Sequence, residues 1–142
     1  MSGIKVAVIG VGNMGTAHAT CLAEGKIRGL ELAAVCDIRP ERLAESRRRF
    51  TGVACVEDYL ELLASGGEQA AVGAVPHPLH GEIASAALGA GLHTLVEKPM
   101  EVSVTKARRL AEDARNSGKV FAIMLNQRTN PLYIKMHEIV KS

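Results

Sequence analysis

A β-branched run, Ile4-Lys5-Val6-Ala7-Val8-Ile9, ends on Gly10 and leads through Val11-Gly12-Asn13-Met14-Gly15 into a helical pattern from about Met14 to Glu24. No other feature limits the fold as much. A G-x-G-x-x-G turn between a strand and a helix uses each glycine differently. Gly10 makes the tight turn, Gly12 lets a phosphate touch bare backbone, and Gly15 lets the helix pack closely on the strand. The helix start, with Asn13 and Met14, adds free N–H groups and the positive end of the helix dipole. The turn is therefore expected to hold a dinucleotide pyrophosphate.

The rest of the chain repeats the opening alternation. Apolar runs at Glu31–Cys36, Val53–Val56, Ala70–Val75, Leu92–Val96 and Val120–Leu125 read as strands. Helical spacing fills Pro40–Phe50, Asp58–Leu63, His77–Leu88 and Val102–Ser117, and a last helix starts near Pro131 and still runs at Ser142. In the helix from Val102, the apolar face is Val104, Ala107, Leu110, Ala111 and Ala114, and Gly118 stops it. The strands are apolar on both faces, as in a sheet covered on both sides. Strand–helix alternation of this kind predicts βαβ units and a parallel, doubly wound (Rossmann) α/β sheet of about six strands, order 3-2-1-4-5-6.

In such a sheet, ligands lie beyond the carboxyl ends of the strands. Asp37 stands there after the second strand, about 20 residues past Gly15, where an acid accepts both ribose hydroxyls of an adenosine half. Its charge repels a 2′-phosphate, which favours NAD over NADP. Ile38 and Arg39 follow it in the expected cofactor contacts. Arg39 and Arg42 blunt the preference, because arginine is the usual partner of a 2′-phosphate, so NADP stays open. Arg39 also reads as an exposed loop residue or as a cap over the adenine ring.

Composition removes other classes. A net charge of +2 is too small to suggest nucleic acid, and 3 % aromatics without Trp give no platform for stacking bases. The run Arg47-Arg48-Arg49 reads as a solvated helix face. No apolar stretch reaches the ~18 residues of a membrane helix, so no membrane association is expected. Cys21, Cys36 and Cys55 have no CxxC spacing, and with no visible targeting segment they read as reduced thiols in the cytoplasm. His18, His93 and His137 lack the grouping of a metal site, and His77 and His80 have no cysteine or carboxylate cluster around them, so no metal is expected. Neither a Ser-His-Asp arrangement nor a GxSxG elbow is apparent.

Residues 74–100, AVPHPLHGEIASAALGAGLHTLVEKPM, resemble the signature of the Gfo/Idh/MocA family of oxidoreductases. The matching positions are Pro76 after strand four, His80 four positions on, and Glu97-Lys98-Pro99 at the end of strand five. Asn126-Gln127-Arg128-Thr129-Asn130-Pro131 resembles the family's loop after strand six. His77 departs from the pattern, where Asn is common. The resemblance covers essentially the whole chain.

It implies the NAD(P)-binding domain of an oxidoreductase that moves a hydride between a nicotinamide cofactor and a sugar, polyol or related hydroxy compound. The cofactor contacts it implies are Gly10, Gly12, Asn13, Met14, Gly15, Asp37, Ile38, Arg39, Val75, Pro76, His77, His80, Glu97, Lys98, Asn126 and Gln127. Lys98 is the catalytic candidate. A hydride leaves a carbinol carbon only if the hydroxyl proton is also removed, and a part-buried lysine beside that oxygen can relay it. Lys98 also reads as a surface lysine paired with a neighbouring acid. Glu97 is implied to bind the nicotinamide-side ribose; the other reading is an acid that orients Lys98. Pro99 fixes the backbone, and the resemblance implies a cis Lys98–Pro99 bond. His80 reads either as a contact near the nicotinamide or as a helix residue packed on the loop.

The division expected is residues 1–128 as the dinucleotide-binding domain and 129–142 as the start of a helix linking to a second α/β domain. In the family that domain supplies an Asp and a His beside the lysine, so this stretch alone is expected to bind cofactor without turnover. A homo-oligomer is expected of the full-length form. A different class of function, a nucleotide-sensing regulator or scaffold that kept the fold without chemistry, also fits the glycine turn, though it has no need of Lys98.

Overall fold

The computed structural model describes residues 3–141; Met1, Ser2 and Ser142, where the last helix was expected to be still running, lie outside the described residues. The elements are β1 (Ile4–Ile9), α1 (Asn13–Ala23), β2 (Leu30–Cys36), α2 (Pro40–Arg49), β3 (Ala54–Val56), α3 (Tyr59–Ser65), β4 (Ala70–Gly73), α4 (His80–Gly89), β5 (His93–Glu97), α5 (Val104–Ser117), β6 (Phe121–Met124) and α6 (Pro131–Lys141). The strands form one parallel sheet in the order β3-β2-β1-β4-β5-β6. This is the doubly wound order read from the sequence.

Both faces of the central strands are buried, so each strand feeds two cores. Ala7 and Ile9 of β1 join Ala34, Cys36, Leu62, Leu63, Ile83 and Ala87 on one side. Val6 and Val8 join Val11, Ala19, Leu22, Val35 and Phe50 on the other. The period-2 pleat divides one apolar run between two helical layers. Local chemistry sets several boundaries. Pro40 opens α2 at its first turn, the Asp58 carboxylate caps α3 by accepting from the Leu60 N–H at 2.8 Å, and Gly66 and Gly118 end α3 and α5 in the left-handed conformation.

Three expectations shift. β4 stops at Gly73 rather than Val75: after the Ala74 N–H donates to the Ile9 carbonyl at 2.8 Å, the chain leaves the sheet and passes over Gly10. The helix expected from His77 is split. A 3-10 turn at His77–Leu79 precedes α4, with the Leu79 N–H donating to the Pro76 carbonyl at 2.9 Å; Pro78 disfavours the α conformation at the residue before it. α5 starts at Val104 after an extended Ser103, and Val104 is exposed; Leu110 is its buried residue, packed with Ala84 and Leu88 of α4.

Candidate functional site

A cleft of about 690 Å³ opens at the carboxyl edge of the sheet, over the crevice where β1 and β4 part. That is the size range of ligand pockets, and the strand order reverses direction at this point. Its floor is the glycine turn. Gly10 has a φ of +88°, and a Cβ there would sit 2.5 Å from the Ala74 carbonyl oxygen. A Cβ on Gly15 would collide with the Gly10 carbonyl. Around Gly12, by contrast, a Cβ would meet nothing within 4 Å. Gly10 and Gly15 are thus required by the protein's own packing, while Gly12 leaves open space above bare backbone. Gly12 precedes α1 without any side-chain cap, so the first N–H groups of that helix face the cleft unspent on a side chain. These residues fit a pyrophosphate.

On the β2 side, Asp37 is buried, with one carboxylate oxygen accepting the Val11 N–H at 2.9 Å. Its other oxygen accepts the Arg39 N–H at 3.0 Å and Arg39 Nε at 3.2 Å. Burial pushes the Asp37 carboxyl up, but the Arg39 side chain, the two backbone N–H groups and the Arg39 charge outweigh it, and the group is held below the usual carboxylate range. An ionised carboxylate has about four acceptor sites. Three are taken here, so one is free, and a second becomes free when the exposed Arg39 side chain lets go.

On the β5 side, Glu97 is the last strand residue, paired with Met124 of β6, so the pleat fixes where its side chain points. Lys98 follows on a cis Lys98–Pro99 bond. Lys98 is exposed, which corrects the expectation of part-burial: among the described residues nothing covers its side chain. Its ammonium makes no ion pair among the described residues, so the reading as a surface lysine tied to a neighbouring acid does not hold. His80 is fully buried behind the wall. Its Nδ1 lies 2.6 Å from the Pro99 carbonyl oxygen and its Nε2 2.8 Å from that of Val75. Both ring nitrogens thus lie within hydrogen-bond distance of backbone carbonyls. His80 therefore braces the two loops.

Gly10, Gly12, Asn13, Met14, Asp37, Ile38, Arg39, Val75, Pro76, His77, His80, Glu97 and Lys98 all border this one cleft. Gly15 lies beneath it. Asn126 and Gln127 are not brought to it. They form a 3-10 turn after β6, the edge strand two positions from the crevice.

Sequence reasoning missed Tyr59 and Glu82 at the β2 side and His18 behind Glu97. The Tyr59 hydroxyl donates to the Glu82 carboxylate at 2.7 Å; that bond first, then burial and the charges of Glu82 and Asp58, push the phenol up to about 12. Cys36 also borders the cleft, and burial, followed by the charges of Asp37 and Asp58, pushes its thiol up to about 12, so it stays an inert thiol. Among the described residues there is no group of three His, Cys, Asp or Glu side chains able to hold a metal, and no helix long and apolar enough to cross a membrane.

The profile of the Gfo/Idh/MocA group, an oxidoreductase family with an NAD-binding Rossmann fold, matches residues 4–125. An inositol 2-dehydrogenase of Streptomyces avermitilis is 32 % identical over 140 residues, covering 98 % of this chain and 40 % of that protein. Scyllo-inositol dehydrogenase from Lactobacillus casei, solved with NAD(H) and scyllo-inositol, superposes with a TM-score of 0.89 at 25 % identity, over 99 % of this chain and 41 % of that one. A 3-ketoreductase from Actinomadura kijaniata, solved as a point mutant with TDP-benzene and NADP, superposes with a TM-score of 0.87 at 28 % identity, over 99 % of this chain and 42 to 44 % of that one. The chain therefore spans about two-fifths of the length of the relatives it matches.

Proposed function

Given that the chain belongs to the Gfo/Idh/MocA oxidoreductase family, we propose that it is the cofactor half of a dehydrogenase acting on a cyclic polyol or related sugar, with NAD preferred. The observation that carries this is the convergence on one cleft of a glycine turn, a buried acid after β2 and an unpaired lysine after β5. When bound there, the dinucleotide supplies or accepts the hydride.

The chain's own residues do the rest. Asp37 accepts from the adenosine ribose hydroxyls, and the α1 N-terminus with Gly12 holds the pyrophosphate. This spans the cleft from the β2 side to the β5 side, so the nicotinamide half lies toward Glu97 and Lys98. Glu97 holds the ribose of that half. Lys98, exposed and unpaired, is in position to hold or move a proton at the substrate oxygen. Residues 1–128 form the cofactor domain and 129–142 begin a linking helix to a second α/β domain that completes the substrate pocket. The full-length protein is a cytoplasmic homo-oligomer.

Calorimetric titration of this chain tests the reading. NAD binds more tightly than NADP, and Lys98→Ala leaves both affinities within about twofold, since Lys98 serves the substrate rather than the cofactor. No binding of either dinucleotide, or a preference for NADP, overturns it.

A further inference from the structure

Glu97 is 6 % exposed, yet it carries a carboxylate into the wall of the cleft. A buried carboxylate needs donors. It has two. The Lys98 N–H donates to one oxygen at 3.3 Å, and His18 Nε2 lies 2.7 Å from the other. The carboxylate only accepts, so Nε2 must carry the hydrogen. His18 is not itself part of the cleft lining. It stands on α1, one turn beyond Gly15, and reaches Glu97 from behind across 79 positions of chain. The distance between α1 and the sheet is set by Gly15, whose missing Cβ lets the helix seat against the Gly10 carbonyl. The glycine turn thus places His18 as well as the phosphates.

We infer that His18 is a positioning residue that holds the Glu97 carboxylate fixed in the wall, and that the pair biases the cleft toward the oxidised nicotinamide. The inference rests on the reading above, in which the nicotinamide half lies toward β5. The oxidised ring carries a positive charge and the reduced ring does not. A carboxylate held in a poorly solvated wall attracts the first and is indifferent to the second. Lys98 acts in the opposite sense, but its ammonium is exposed and unpaired, so water screens it more fully than the buried carboxylate. Without His18, Oε1 of Glu97 is left buried and without its donor, and the carboxylate turns away to find another. The cleft then loses a negative charge fixed in its wall.

The test uses this chain alone. Dissociation constants are measured for NAD+ by calorimetry and for NADH by its fluorescence, and the ratio Kd(NADH)/Kd(NAD+) is compared across variants. Glu97→Gln and His18→Leu each lower the ratio by about threefold to tenfold. His18→Gln, which can donate an N–H to the same oxygen, keeps the ratio within about twofold of the parent. His18→Ala gives the same reading should leucine not fit. A ratio unchanged in His18→Leu and His18→Ala overturns the inference while leaving the cofactor reading intact. So does a raised ratio, which would make His18 a counter-charge rather than a support. If the parent chain binds neither form, the cofactor reading fails and the inference fails with it.

Discussion

The backbone N–H of Val11 donates to the carboxylate of Asp37 at 2.9 Å, in a buried bond that joins positions 26 residues apart. The glycine turn and the end of β2 are therefore one unit. The acid proposed to read the adenosine ribose also holds the loop proposed to cradle the pyrophosphate, so a change at Asp37 has two consequences that can be separated by measurement.

Asp37→Ala lowers NAD affinity about tenfold or more, the worth of hydrogen bonds to a charged group. NADP loses less, because the repulsion of its 2′-phosphate goes too, and the gap between the two narrows. Arg39→Ala does the reverse: Asp37 then meets a 2′-phosphate without its partner charge, and the preference for NAD widens. Calorimetry with both dinucleotides checks this, and equal shifts for NAD and NADP would remove Asp37 from the discrimination. Stability responds separately. The orphaned Val11 N–H costs about 1–3 kcal/mol. Burial raises the Asp37 carboxyl but its Arg39 and Val11 partners lower it further, so the folded group titrates below the unfolded one. Its contribution is complete above the unfolded value of about 3.9 and is lost as pH falls through the lower, folded value. Urea midpoints of the parent and Asp37→Asn therefore differ at neutral pH and converge on acidification.

The three glycines of the turn separate folding from binding. Gly12 has a φ of −69°, open to any residue, and a Cβ there meets nothing within 4 Å. Gly12→Ala therefore melts within about 0.5 kcal/mol of the parent but loses NAD, because its methyl occupies the space of the pyrophosphate. Gly15→Ala drives a methyl into the Gly10 carbonyl and costs about 3 kcal/mol. Thermal melts beside calorimetric titrations distinguish the two. If Gly12→Ala binds NAD like the parent, the pyrophosphate does not lie on that backbone.

Much of this architecture was legible because it rests on local signals. Strand order followed from six strand–helix alternations, and Asp37 from its place after β2. Glu97 and Lys98 were found through a contiguous motif. The misses share a different cause. His18 and Glu97 are 79 positions apart, and Tyr59 and Glu82 are 23 apart. Neither pair leaves a spacing to read. His18 did carry one local sign, since it sits three residues past Gly15 on the helix face that must approach the sheet. Lys98 read as part-buried because it ends a buried strand, but exposure there depends on what covers the strand end. Asn126 and Gln127 also follow a strand terminus, but β6 is the edge strand, two positions from the crevice, and they stand outside the cleft lining. His80 was left between two readings, which only the two carbonyls facing its ring could separate.

Tyr59 and Glu82 give a spectroscopic handle on the β2 side of the cleft. The chain has two tyrosines and no tryptophan, so phenolate absorbance is not obscured by indole. One tyrosine, Tyr59, titrates late, at about 12, chiefly because its hydroxyl donates to Glu82. Glu82→Ala removes both the acceptor and the charge beside it and brings that midpoint down toward the ordinary value of about 10. Tyr59→Phe abolishes the late phase altogether. Superimposable alkaline titrations of the parent and Glu82→Ala would show that the bond does not persist in solution.

His80 braces the two loops that carry Val75 and Pro99, and its loss has a local signature. Its ring lies between their carbonyl oxygens, at 2.8 and 2.6 Å, with no exposed surface. His80→Ala deletes both bonds and leaves a cavity, which costs about 2–4 kcal/mol in urea unfolding. A buried residue of any kind would do as much, so the discriminating measurement is hydrogen exchange. With the brace gone, amides of residues 75–79 and 97–101 exchange faster than in the parent, while the β1–β2 ladder, which His80 does not touch, loses only the protection that the global loss of stability dictates. His80→Asn, which can donate from a position near Nδ1, restores part of the protection at residues 97–101 and little at 75–79. Uniform loss across the sheet in both variants would reduce His80 to ordinary packing.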